Sequence, residues 1–228
     1  MKIKKLSDKI DDGGCILVSN SNEDIFKIKK NIIIEIFEKK GIILFKNFKL
    51  DKNKITKFTD QFTQRYANDA NRRETRFKNP KLRDVDSGIM EMPLHSEASY
   101  SPPWPEIVWF YCNTAPSKSG QTTVCDGRAI YKNLSSNTKN FFLSNQIIYN
   151  LKIPYDKKGN TNSEHKKTKL KSWYIEHPGV TDCFIDFRNK EIHLKQKRYA
   201  VVETRKSEEL SFSNHLQIIL DRDPQVLG

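Results

Sequence analysis

No apolar run in these 228 residues approaches the roughly 18–20 needed to cross a bilayer, so a helical membrane span is not expected. The basic opening at residues 1–7 leads into no apolar segment, and no secretory leader is read there. Cysteine is sparse. Cys15, Cys112, Cys125 and Cys183 stand far apart with no Cys-x-x-Cys pair, which argues against a zinc cluster or a dithiol redox motif and fits a reduced, cytoplasmic protein. No internal repeat is visible, which excludes a solenoid. The aromatic poverty of disordered chains is absent as well: aromatic residues are 11% and hydrophobic residues 36%, enough for a core in a chain of this length.

What is present in excess is positive charge. A formal net charge of +12 draws a protein toward nucleic acid, anionic membranes or acidic small molecules, and by itself does not choose among them. The basic residues are spread along the chain, and the densest run, Lys166, Lys167, Lys169 and Lys171, lies in a polar stretch that reads as loop. Arg65, Arg72, Arg73 and Arg76 interleave with Tyr66 and Phe77, a composition that suits single-stranded nucleic acid. That binding module is the alternative from a different class, set against a solvated lysine-rich surface.

Residues 24–39 place Ile25, Ile28, Ile32, Ile36 and Phe37 at near-helical spacing, with Asn22 or Asp24 as cap and Gly41 as stop. The apolar run Ile42, Ile43, Leu44 and Phe45 follows and predicts a doubly buried strand. A second helix is predicted over 52–65, with Ile55, Phe58 and Phe62 on one face. Residues 66–83 read as a long loop and a candidate substrate-facing element. Residues 107–112 read as a core strand, and a helix is expected from Asp126 or Gly127. Strands are predicted over 147–155, 183–187, 198–204 and 210–220, and 156–171 is read as a polar insertion. The mixture indicates one α+β or β-rich domain with helical cover.

The segment Met92-Pro93-Leu94-His95-Ser96-Glu97 carries an imidazole and a carboxylate two residues apart. On extended backbone such a pair projects to one side and can meet a single ion. A neutral imidazole with a carboxylate oxygen suits Fe(II), and a second histidine completes a facial triad that leaves three positions open. Alone, His-x-Glu is a weak signal that many sequences of this length carry by chance.

Its context is more specific. The stretch LHSEASYSPPWPEIVWFYCNTAPSKSGQTTVCDGRAIYKNL, residues 94–134, resembles the TauD/TfdA-like family of Fe(II)- and 2-oxoglutarate-dependent dioxygenases, in its His-x-Glu, clavaminate-synthase-like or SyrP-like branch. The SGQTTVCDGR turn looks like the family's G-G-x-T segment, with Ser119 where the first glycine is usual. More weakly, KKGIILFKNF, the Ser172–Trp173 pair and Ser213-Asn214-His215 also resemble family segments. The resemblance implies a double-stranded β-helix (jelly-roll, cupin-like) core with N-terminal helices packed on it. It implies His95 and Glu97 as metal ligands, Thr122 as a contact to the distal carboxylate of 2-oxoglutarate, and no catalytic side chain beyond the ligands. Fe(II), 2-oxoglutarate, O2 and a small-molecule or carrier-bound substrate are the implied cofactors and partners, with C–H hydroxylation as the outcome. Halogenation is disfavoured, because halogenases of this superfamily replace the carboxylate that Glu97 retains.

In family members the remaining histidine and the arginine for 2-oxoglutarate lie in a C-terminal segment that residues 1–228 do not contain. The expectation is a single domain, 1–228, incomplete at its C-terminus, with the third ligand and the last core strands beyond Gly228. An unpaired sheet edge would then favour self-association. Within the chain, His165, His177 and His193 read as solvent or surface histidines. His215, in an apolar pattern with Phe212, Leu216 and Ile218, is the substitute ligand to weigh. A catalytically inactive fragment of the same fold is the third reading.

Overall fold

The computed structural model describes residues 1–7, 13–66, 75–77, 79–85, 91–101, 104–154 and 179–222. The polar insertion at 156–171, His165, His177, the Ser172–Trp173 pair, and Arg72 and Arg73 lie outside the described residues. The chain divides into two units, each assembled from three stretches of sequence. The first takes Met1–Leu94, Ile107–Lys132 and Glu203–Ser211; the second takes His95–Glu106, Asn133–Val202 and Phe212–Gly228.

In the first unit, β1 (Lys2–Lys5), β2 (Cys15–Val18) and β3 (Ile43–Lys46) form one sheet, with β2 antiparallel to β1 and parallel to β3. The helix predicted over 24–39 is split. Asp24 accepts the Phe26 N–H at 3.0 Å and caps a 3-10 turn at Ile25–Lys27. Ile28 and Lys29 are extended, and α1 runs over Lys30–Lys40. The stop is as expected: Gly41 takes φ +70° and returns its N–H to Phe37 O at 2.7 Å. β3 is an edge strand rather than a doubly buried one, with Leu44 47% exposed while Ile43 and Phe45 face the core.

The helix predicted over 52–65 is also shorter. Asp51 caps a 3-10 turn at Lys52–Lys54, and α2 covers Ile55–Thr59. It buries Ile55 and Phe58, and the Phe58 ring meets Phe26, Phe45, Phe62 and Trp109 at centroid distances of 5.5–5.9 Å. Trp109 belongs to the segment 107–112, expected as a core strand. That segment pairs with no strand among the described residues: Trp109 turns inward while Val108 and Phe110 are 45% and 62% exposed. Within the predicted 66–83 loop, β4 (Thr75–Arg76) and β5 (Asn79–Arg83) form a small antiparallel pair. The helix expected from Asp126 or Gly127 is α3 (Gly127–Asn133), whose second residue, Arg128, donates its N–H to Asp126 Oδ1 at 2.9 Å.

In the second unit α4 (Ser136–Ser144), which the periodicity did not announce, is capped by Ser135 Oγ accepting the Thr138 N–H at 3.2 Å. β6 (Gln146–Pro154), β8 (Glu191–Tyr199) and β7 (Val180–Asp186) form an antiparallel sheet in that order. Alternation along β8 buries Ile192, Leu194 and Gln196 to 2% exposure or less and leaves Lys195 and Lys197 in solvent. Cys183, Leu151, Ile153, Val180 and Ile185 complete this core. Outside this sheet, β9 (Val201–Glu203) pairs with β10 (Leu210–Phe212) in a hairpin of which Glu203–Ser211 is assigned to the first unit. The strand predicted over 210–220 ends there, because Asn214 Oδ1 accepts the Leu216 N–H at 3.0 Å and starts α5 (Leu216–Arg222).

The entry to β7 fixes one glycine. Gly179 has φ +86°, and a Cβ added there would stand 2.6 Å from Lys197 O. Gly179→Ala is expected to cost more than the roughly 1–2 kcal/mol of a left-handed alanine, since a backbone carbonyl must also move. Chemical denaturation checks this, and an unchanged midpoint contradicts it.

The architecture is α+β, as predicted. The strands fall into four small sheets, and no barrel closes among the described residues. No helix among them is long and apolar enough to cross a membrane. All four cysteines are free thiols, Cys15 and Cys183 buried and Cys112 and Cys125 exposed.

Candidate metal-binding site

The residues around His95 form neither helix nor strand. They run as irregular backbone into a turn at residues 97–100, tied by Ser99 N–H to Ser96 O at 3.2 Å and Ser101 N–H to Ala98 O at 2.9 Å. Ala98 takes φ +50°, which costs a non-glycine residue about 1–2 kcal/mol and needs such surroundings to persist. The segment is not a strand, and Glu97 opens the turn; His95 Nε2 lies 3.4 Å from Glu97 Oε2, with side chains 20% and 34% exposed.

His215, 120 positions later in sequence, is brought to the same place. Its ring stands edge-on to His95 with centroids 4.9 Å apart and edge-on to Tyr100 at 4.7 Å. His215 Nδ1 is 3.4 Å from Ser96 O, and because a carbonyl only accepts, that bond requires the proton on Nδ1. The backbone N–H of His215 donates to the Tyr149 hydroxyl at 3.3 Å, and Ser96 N–H donates to Asn214 O at 2.9 Å. Burial pushes the Tyr149 hydroxyl pKa up, partly offset by the His215 N–H it accepts.

The other residues singled out from sequence fall elsewhere. Thr122 belongs to the first unit, on exposed irregular backbone following Ser119 and Gly120, which take φ +60° and +74°. Two consecutive left-handed residues are what a Gly-Gly pair accommodates, so Ser119 departs from the usual glycine at a conformational cost. Cys125 and Asp126 follow. Asp126 gains from burial a tendency to hold its proton, which hydrogen bonds from Arg128 outweigh, so its pKa is lowered. Arg128 also reaches Glu209 Oε2 at 2.8 Å, so this acid–base group is a structural tie within the first unit.

A second imidazole–carboxylate pair sits on the solvent-facing side of the β6-β8-β7 sheet. His193 Nε2 lies 3.2 Å from Glu191 Oε2, and its ring stacks on Phe184 at 4.6 Å. Distance alone therefore does not single out His95 and Glu97. Among the described residues no group of three His, Cys, Asp or Glu side chains is arranged to hold a metal ion. The basic-aromatic stretch is engaged in the protein's own contacts: Lys81 Nζ lies 4.7 Å over the Tyr66 ring, Lys52 Nζ 5.2 Å over Phe77, and Arg76 pairs with Asp84.

Trp104, Tyr149 and Arg198, which pack around Ser96 and His215, are not among the residues expected from the sequence. Arg198 was detectable, since it falls in phase with Ile192, Leu194 and Gln196 on the buried face of β8, where a charge is out of place.

The family model described as "Taurine catabolism dioxygenase TauD, TfdA family" matches residues 12–215. The chain belongs to the TauD/TfdA family. Members are Fe(II)- and 2-oxoglutarate-dependent dioxygenases that act with O2 on small molecules. No curated protein and no solved structure matches the chain.

Proposed function

We propose that this chain is a non-haem Fe(II), 2-oxoglutarate-dependent oxygenase of the His-x-Glu branch, hydroxylating an unactivated C–H bond of a small or carrier-bound metabolite. The observation that carries the reading is the 3.4 Å approach of His95 Nε2 to Glu97 Oε2 inside the span matched by the family. Two ligands at about 2.1 Å from one divalent ion, at right angles, stand about 3.0 Å apart, so the pair fits an ion after a small side-chain adjustment. The remaining position of the triad is unassigned among the described residues. His215, whose ring stands edge-on to His95 at 4.9 Å, is the described histidine placed nearest the pair.

Fe(II), when bound, supplies the activation of O2 and the oxidative decarboxylation of 2-oxoglutarate to succinate and CO2. The chain's own residues position it. When the group is bound, His95 would offer an imidazole nitrogen and Glu97 a carboxylate oxygen, and the Thr122 hydroxyl would donate to the distal carboxylate of 2-oxoglutarate. Glu97 keeps the carboxylate position filled, which favours hydroxylation over halide transfer. The interleaving of the two units along the sequence supports one TauD/TfdA-like domain rather than two consecutive ones, and the family's double-stranded β-helix is its proposed core.

The test is cosubstrate turnover. With Fe(II), ascorbate and a panel of amino acids, sulfonates and carrier-bound acyl groups, the chain is expected to convert 2-oxoglutarate to succinate in step with one substrate. Iron binding without succinate formation across the panel would mark an inactive member of the family. Failure to bind iron would overturn the proposal.

A further inference from the structure

Ser96, the residue between the two proposed ligands, is held from several sides within the second unit. Its hydroxyl accepts the indole N–H of Trp104 at 3.3 Å. Its backbone N–H donates to Asn214 O at 2.9 Å, and its carbonyl takes Ser99 N–H and His215 Nδ1. Trp104 is in turn fixed by β8: the Arg198 guanidinium lies 5.0 Å over the indole ring, and its Nη2 donates to Ser101 O at 2.9 Å. The guanidinium thus grips the far end of the His95–Ser101 turn while stacking on the ring that grips its middle.

Arg198 occupies a position where β8's alternation asks for an apolar side chain. Removing a guanidinium from water is costly, and burial lowers the Arg198 pKa. A planar cation fits this place because it can stack on an indole and donate to a carbonyl at once, which a lysine ammonium cannot do with the same geometry.

We propose that Arg198 and Trp104 are positioning residues for the metal pair: through Ser96 and Ser101 they set the separation and direction of the His95 and Glu97 side chains. The inference rests on the reading of that pair as iron ligands. Groups that orient ligands from behind change metal affinity by about 10–100-fold when removed, without themselves touching the ion.

The experiment uses Co(II) as an oxygen-stable stand-in for Fe(II), with affinity read by titration and coordination read from the visible absorption of the bound ion. Trp104→Phe keeps a ring under Arg198 but removes the N–H, and Ser96→Ala removes its acceptor. Each is expected to lower Co(II) affinity about tenfold, and the double variant to be no weaker than either single one, because both remove the same bond. Arg198→Met is expected to lower affinity comparably and to alter the Co(II) spectrum, whereas Lys195→Met, on the opposite face of the same strand, leaves both unchanged. Arg198→Lys, which keeps the charge, guards against loss of folding and is expected to fall between.

Wild-type affinity in Trp104→Phe and Ser96→Ala, or losses that simply add, would overturn the role of the Trp104–Ser96 bond. A lowered melting temperature in Arg198→Met with unchanged Co(II) affinity and spectrum would reduce Arg198 to a structural residue. If Glu97→Ala loses the metal while these variants keep it, this inference alone falls. If the wild-type chain binds no metal, the oxygenase reading falls and takes this one with it.

Discussion

Glu97→Ala is expected to weaken Fe(II) binding by at least about 100-fold, beyond the 10–100-fold typical of losing a group that only supports a ligand. A single imidazole left at the site fixes neither coordination number nor direction, and the ion remains largely hydrated. The Glu97 side chain is 34% exposed on a turn, so its removal leaves the two cores untouched and circular dichroism should be unchanged. The internal control is Glu191→Ala. It removes the carboxylate of an equally close pair, 3.2 Å from His193 Nε2, on a sheet face where the ring is stacked on Phe184. Iron affinity is expected to survive there. Anaerobic titration of both variants separates the pairs, and equal losses, or no loss at either, would contradict the assignment of His95 and Glu97.

Phe58→Ala is expected to destabilise the first unit by about 3–5 kcal/mol, the range for deleting a buried aromatic side chain. Phe58 is 3% exposed and makes edge-on contacts to four rings, Phe26, Phe45, Phe62 and Trp109, which arrive from different parts of the sequence. Those neighbours are themselves only partly buried, so no other residue in the cluster replaces the contacts it loses. Denaturation followed by tryptophan fluorescence reports this directly, because Trp109 lies against the same ring at 5.9 Å. A loss below about 1 kcal/mol would mean that the cluster collapses onto the vacancy and is not the keystone described.

What could be read in advance depended on whether the signal was local. Gly41 stops α1 and Asp126 caps α3 because each acts on its immediate neighbours, and both were legible. The strands β6 and β7 were visible as β-branched and alternating runs, whereas β8 was foreseen only at its end, where it overlaps the strand expected over 198–204. The single helix expected over 24–39 failed because Asp24 caps a 3-10 turn and Ile28 and Lys29 go extended, a competition between two start signals that the isoleucine spacing hides. Residues 107–112 carry strand composition, but strand formation needs a ladder partner, and propensity does not supply one. At α5 the side chain of Asn214 decided against the predicted strand.

At the site, the His95–Glu97 spacing was legible and the two side chains approach each other, with Glu97 on a turn rather than in a strand. The gathering of His215, Tyr149, Trp104 and Arg198 around Ser96 was not, since those residues are separated by as many as 119 positions and meet only through tertiary packing.

The most direct test of the central claim is an experimental structure of crystals soaked anaerobically with Mn(II), a stand-in for Fe(II) located by its anomalous scattering. One strong peak is expected within bonding distance of both His95 Nε2 and Glu97 Oε2. A peak at Glu191 and His193 instead, or full occupancy at any place that leaves His95 and Glu97 uncoordinated, would contradict it.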